Sequence, residues 1–144
     1  MELRPLVEAD ADALLELREW FSASDIEALR ARLRAWESRR SPDGSEQWLN
    51  WLVLDEDAEP AGWVQATIRA DVALVAYAVL PQRRGEGIAT EAVTSLTAWL
   101  HAEHPVVEAN IADGNVASQH VARRCGFIRT NRVRGGEAVW EHTS

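Results

Sequence analysis

Tyr77-Ala78-Val79-Leu80-Pro81-Gln82-Arg83-Arg84-Gly85-Glu86-Gly87-Ile88-Ala89-Thr90 is the stretch on which the fold turns. It closes the nearly continuous apolar run Val72 to Leu80, which reads as a strand covered on both faces. Pro81 ends that strand, because proline donates nothing to a ladder. Two glycines follow, and a helical pattern runs from about Gly87 to His104, with Ile88, Ala92, Leu96, Trp99 and Leu100 on its expected buried stripe. A strand, a glycine turn and a helix in immediate succession make a candidate anion cradle. The first turn of a helix carries N–H groups without intrahelical partners, and its dipole favours negative charge. Glycine at 85 and 87 lets the backbone approach a diphosphate closely and adopt positive φ. Arg83 and Arg84 add positive charge at the rim, and the Thr90 hydroxyl could reach a phosphate oxygen. Two common phosphate loops are excluded: no Gly-Lys-Ser/Thr is present, and Thr90 stands where a dinucleotide fingerprint needs its third glycine.

Upstream, Leu3 to Val7 reads as a short strand, and Asp10 or Asp12 as the cap of a helix burying Ala13, Leu14 and Leu17. Ser24 or Asp25 opens a second helix with Ile26, Leu29, Leu33 and Trp36 at helical spacing. After the loop Ser41-Pro42-Asp43-Gly44-Ser45, Trp48 to Leu54 and Gly62 to Arg69 read as a hairpin joined by the turn-rich Asp55 to Pro60. Downstream, Pro105 closes the long helix. Val106 to Ile111 is a strand, Asn115 to Cys125 a helix ended by Gly126, and strands near Ile128 to Arg134 and Ala138 to His142 finish the chain. The order βααβββαβαββ predicts an α/β (α+β) fold, a mixed sheet of about seven strands flanked by four helices, within a single domain spanning 1–144.

The 144 residues are enough to bury a core without staples, and 47% hydrophobic with 26% charged is an ordinary globular balance. No apolar run approaches the roughly 18 residues of a membrane span, and Met1 to Pro5 lacks the pattern of a signal peptide, so a cytoplasmic protein without membrane contact is expected. Cys125 is the only cysteine and shows no ligand spacing with the four histidines, so neither a disulfide nor a metal is expected. All 15 basic residues are Arg, which reads as genome composition. A net charge of −8 argues against nucleic acid as a partner and leans towards a cationic acceptor.

With these residues in view, the chain resembles the GCN5-related N-acetyltransferase (GNAT) superfamily, and within it the branch of ribosomal-protein alanine N-acetyltransferases. Gln82, Gly85 and Gly87 match the cofactor signature Gln/Arg-x-x-Gly-x-Gly/Ala. Leu3-Arg4-Pro5-Leu6 with Asp10-Ala11 looks like the usual start of that branch, and Asn115 to Ser118 with Gly126-Phe127 like its Asn-x-x-Ser and Gly-Phe pair. The resemblance implies a splayed sheet and acetyl-CoA as cosubstrate. The pantetheine arm would lie on backbone groups near Val79 and Leu80, and the diphosphate on the loop of Gln82, Arg83, Arg84, Gly85, Glu86, Gly87, Ile88, Ala89 and Thr90. Asn115 would contact the arm, and Ser118 would face the thioester sulfur.

The implied reaction is direct attack of a neutral primary amine, on a small molecule or a protein N-terminus. It needs a route for the amine proton, a donor for the carbonyl oxygen and a proton for the thiolate. Ser118 is the expected thiol-side donor, because Ala122 stands where many relatives place a Tyr acid. Asn110 occupies the place of a Glu base and would position a water. Glu108 shares its strand face, and Tyr77 is a candidate wall of the cleft. Trp36, Trp48, Trp51, Trp63 and Trp140 are candidates for an acceptor pocket between the second helix and the C-terminal hairpin, with packing as the alternative. Cys125 is expected to be a buried thiol. A non-catalytic acyl-CoA-binding module on the same fold is the alternative function. Dimers are frequent in such families, so a homodimer is a further candidate.

Overall fold

The computed structural model describes all 144 residues. Seven strands, β1 (Glu2–Pro5), β2 (Gln47–Leu54), β3 (Pro60–Arg69), β4 (Val72–Val79), β5 (Val106–Ile111), β6 (Ile128–Arg134) and β7 (Glu137–Thr143), form one sheet in the order β1-β2-β3-β4-β5-β7-β6. Every pairing is antiparallel except β4 with β5, which is parallel and needs the crossover helix between them. The helices are α1 (Ile26–Trp36), α2 (Ile88–Leu100) and α3 (Val116–Arg124), preceded by a ten-residue 3-10 segment, Asp12–Phe21. No helix is long and apolar enough to cross a membrane.

Local sequence explains these elements. Ala11, Leu14 and Leu17 recur every three residues, the period at which 3-10 side chains eclipse, and all three are buried. The first helix is therefore a tight one, and Ser22 closes it at φ 54°. Asp25 starts α1 by accepting from the Ala28 N–H at 2.8 Å, and Asn115 starts α3 by accepting from the Ser118 N–H at 3.1 Å.

The sheet is covered on both faces. Against α2 and α3 it buries Val53, Val64, Val75, Val107 and Trp140 around Val93 and Leu96. On the other face Leu52 and Trp63 meet Leu14, Leu17, Phe21, Leu29 and Leu33. The neighbours Leu52 and Val53 enter opposite cores, as the two-residue period of a strand requires. Trp99 departs from the expected buried stripe of α2. It lies one residue before Leu100, about 100° round the helix, is 59% exposed, and meets Trp51 edge-on at 5.6 Å.

One irregularity positions the site. β4 and β5 pair only where Val72 to Leu74 face Val106 to Glu108, and beyond that they part. On its other side β4 stays paired with β3 up to Val79, and the Leu80 N–H donates to the Ala61 carbonyl at 2.9 Å. Antiparallel alternation then turns the peptide groups of Ala76, Ala78 and Leu80 towards β3 and those of Val75, Tyr77 and Val79 into the gap. Gly62 keeps β3 tight against this strand, since a Cβ there would stand 2.5 Å from the Ala78 carbonyl oxygen.

Candidate active site

The gap between β4 and β5 opens into two cavities that meet. The larger, about 500 Å³, runs from Tyr77 and Val79 on β4 to the glycine loop, with α3 as its opposite wall. The smaller, about 240 Å³, lies deeper between β3, β4 and β5. Trp20, Tyr77, Asn115 and Ser118 line both and so mark the junction.

The glycine loop has the geometry its sequence suggests. Gly85 and Gly87 sit at φ +84° and +79°, a region where an L side chain is strained. The first backbone bond into α2 runs from the Glu91 N–H to the Gly87 carbonyl at 3.1 Å. The N–H groups from Gly85 to Thr90 are therefore without backbone partners at the positive end of a 13-residue helix. Arg84, Gly85, Gly87, Ala89 and Thr90 line the larger cavity.

The charges of the loop are arranged unlike the expectation. Arg83 reaches the cavity but pairs with Asp55 at 2.8 Å and Glu86 at 3.2 Å, so its charge is largely spent. The hydrogen bonds it donates to the Glu86 and Asp55 carboxylates hold its pKa above the usual value. Arg84 makes no ion pair and remains the cation of the loop. Arg124, at the end of α3, adds a second across the cavity, and the exposed His120 stands on the same wall. Neither carried an expected role. An arginine at the C-terminal end of α3, facing a diphosphate loop, is a signal available only once the two elements are known to face each other.

Other expected cofactor residues fall outside the cavity. Gln82 is exposed in the turn Pro81–Arg83 and lines neither cavity, and Glu86 is engaged with Arg83. The side chains of Leu80 and Ile88 are buried in the two cores, so only the Ile88 N–H faces an anion. The Leu80 peptide N–H is taken by Ala61; the free edge groups belong to Val79 and Tyr77.

At the junction, the Tyr77 hydroxyl donates to the Ser118 carbonyl oxygen at 3.1 Å, across the gap from β4 to α3. Burial pushes its pKa up, partly opposed by that hydrogen bond, so the phenol stays protonated. The Ser118 hydroxyl makes no hydrogen bond within the protein and is free to serve a ligand. Asn115 spends its carbonyl oxygen on capping α3, which leaves its amide N–H₂ for the cleft. Ala122 is buried in the core and supplies no proton.

The smaller cavity separates the candidate bases. Asn110 lines it, with its carbonyl oxygen held by Arg134 at 3.2 Å. Glu108 lines neither cavity. It is 2% exposed and clamped by Arg132 at 2.7 Å and Arg134 at 3.0 Å. Burial alone would raise its pKa, but the two guanidinium hydrogen bonds outweigh it and hold the carboxyl below the usual value. A carboxylate so paired is a poor base. Glu137, at the start of β7, is the carboxylate that lines the cavity, and no cation pairs with it. Sequence gives little sign of it, because only the Ala138–Ile111 register carries it to the end of β5.

The acceptor pocket is also built differently from expectation. Neither α1 nor any of Trp36, Trp48, Trp51, Trp63 and Trp140 lines either cavity. Trp36 stacks with Phe21 and Trp48, Trp63 with Phe21, and Trp140 lies under the Arg123 guanidinium at 5.2 Å. Trp20 is the tryptophan of the site, half-exposed and braced by Trp63 at a centroid distance of 5.9 Å. Cys125 is half-buried, in contact with Thr90 and Thr94, and burial raises its thiol pKa.

The family model described as an acetyltransferase (GNAT) domain matches residues 1–128. The chain belongs to the GNAT acetyltransferase family. As a GNAT enzyme it is an acetyl-CoA-dependent N-acetyltransferase. Among solved structures the fold is shared with a candidate ribosomal-protein-serine acetyltransferase from Vibrio cholerae, at 18% identity over 99% of this chain and 92% of that one, TM-score 0.78. The aminoglycoside acetyltransferase AAC(6')-Ib in complex with coenzyme A and kanamycin is similar at 17% identity over 98% and 93% of the two chains, TM-score 0.79. A variant of the spermidine N-acetyltransferase from Vibrio cholerae is similar at 16% identity over 98% and 92%, TM-score 0.73. No curated protein matches the chain. The GNAT acetyltransferase fold thus accounts for the parted strands and the glycine loop together.

Proposed function

We propose that acetyl-CoA fills the larger cavity and that a primary amine, from a small molecule or a peptide N-terminus, reaches its thioester through the smaller one. The observation that carries this is the meeting of the two cavities at Tyr77 and Ser118. In this reading the N–H groups from Gly85 to Thr90, with Arg84 and Arg124, hold the diphosphate, as a helix N-terminus holds anions. The free peptide edge of Val79 and Tyr77 pairs with the pantetheine amides as an added strand would. Asn115 donates to the arm.

The amine arrives as an ammonium ion, and Glu137 accepts its first proton, directly or through a water held by Asn110. The amine nitrogen then bonds to the thioester carbonyl carbon and the C–S bond breaks. The second amine proton passes to the leaving thiolate through Ser118, with Tyr77 as the neighbouring donor. The balance is acetyl-amide, free thiol and one proton released. Glu108 has no part in it beyond holding Arg132 and Arg134.

The whole chain, 1–144, acts in this reading as one domain in the cytoplasm, supported by the single sheet and by a lone free cysteine. A homodimer through the outer edge of β6 belongs to the same reading, since Ile128 and Val133 stand 71% and 69% exposed there. The acyl-CoA-binding module without catalysis, which Ala122 kept open, is disfavoured by an unpaired Glu137 and a free Ser118 hydroxyl on either side of the junction.

Acetyl-CoA at a hundredfold over its Kd should stabilise the protein by roughly 2.7 kcal/mol, a rise in Tm of several degrees. Amine-dependent release of free thiol should follow. A rise in Tm without thiol release for any amine identifies the binding module, and no rise at millimolar acetyl-CoA removes the proposal.

A further inference from the structure

We infer that the acceptor is a small monoamine, and not a polyamine or an aminoglycoside. The inference rests on the proposed function and assigns the substrate class of its smaller cavity. Three observations carry it.

Glu137 is the one charged side chain that lines the cavity. Its carboxylate is free because the cations nearest in the hairpin are committed elsewhere: Arg132 and Arg134 both bind Glu108, and Arg132 also binds Glu141. One carboxylate neutralises one ammonium. A second positive charge brought into the same space would lose its water and gain no counter-ion.

The rest of the lining is neutral. Gln65, Thr67 and Asn110 are polar, Leu74 and Ala76 apolar, and the half-exposed Trp20 stands at the junction with the larger cavity. None of them carries a charge to compensate a second ammonium. Trp20 offers a π face to a single ammonium at the junction.

Size sets the third limit. At about 240 Å³ the cavity is smaller than pockets that take drug-sized ligands, roughly 300–1,000 Å³.

The test measures kcat/KM by thiol release at saturating acetyl-CoA for 2-phenylethylamine, spermidine and kanamycin. Acetyl-CoA binding is read separately by the shift in Tm. The monoamine should exceed each of the others by at least tenfold. Glu137→Gln should lower its kcat/KM at least tenfold while leaving the acetyl-CoA shift unchanged. Thr67→Glu places a second carboxylate on the β3 wall and should raise the diamine-to-monoamine ratio at least fivefold. A better rate with either of the other two acceptors, or a ratio untouched by Thr67→Glu, overturns the inference while the acetyl-CoA shift leaves the proposed function standing. Absence of that shift overturns both.

Discussion

Replacing Gly87 by alanine isolates what the loop conformation contributes. Gly87 holds φ +79° with nothing within 4 Å of the added Cβ, so the substitution introduces no clash. What it introduces is left-handed backbone on an L residue, about 1–2 kcal/mol. The free loop is open enough to relax out of that conformation. The bound loop must return to it to aim the N–H groups from Gly85 to Thr90 at a diphosphate, so the strain reappears on binding. That corresponds to roughly a 5- to 30-fold rise in Kd for acetyl-CoA, measured by calorimetry or by intrinsic tryptophan fluorescence. Gly44 is the control, because it has φ +77° and the same open surroundings but lies in the loop before β2, away from both cavities. Gly44→Ala should leave Kd unchanged. Equal Kd values for Gly87→Ala and the wild type would refute the reasoning, and so would an equal loss of affinity in Gly44→Ala.

Three further outcomes are expected. Glu108 has a folded pKa below its unfolded value near 4.5, so the stability it contributes is present above pH 4.5 and is lost as pH falls through the folded pKa. Glu108→Gln should cost roughly 1.5–3 kcal/mol at pH 7 in denaturant melts, with the difference fading below pH 4. His142 has its pKa lowered by burial and by the charge of His101, whose Nε2 lies 2.8 Å from its Nδ1. Its neutral form is the folded one, so Tm should fall as pH drops from 6.5 towards that lowered value, and His142→Asn should flatten the fall. Gly62→Ala drives a Cβ to 2.5 Å from the Ala78 carbonyl oxygen, so β3 and β4 must separate. About 1–3 kcal/mol of stability should be lost, together with acetyl-CoA affinity, in parallel thermal and binding titrations.

The glycine loop was legible because its signal is local. Two glycines between an apolar strand and a helix restrict the backbone to few conformations, and both adopt positive φ. The parallel β4–β5 step fits the mixed sheet expected from the element order, since a crossover helix separates those strands, whereas the insertion of β7 between β5 and β6 was not legible. What could not be read depends on contacts between distant segments. Trp20 and Glu137 lie 117 positions apart, by numbering, yet line one cavity, and nothing beside either residue marks it. Glu108 shows the limit of strand periodicity. It shares a strand face with Asn110, but Arg132 and Arg134 from β6 cover it, and only the pairing of β7 with both strands reveals that. Trp99 failed for a simpler reason: at the edge of a helical stripe, a hydrophobic residue can be taken up by a neighbour such as Trp51 in place of the core.

A crystal structure with coenzyme A bound tests the central claim most directly. The account predicts the diphosphate on the N–H groups between Gly85 and Thr90, the arm along Val79 and Tyr77, and the sulfur within hydrogen-bond reach of the Ser118 hydroxyl. A sulfur away from the junction of the two cavities, or a diphosphate held elsewhere than the glycine loop, would contradict it.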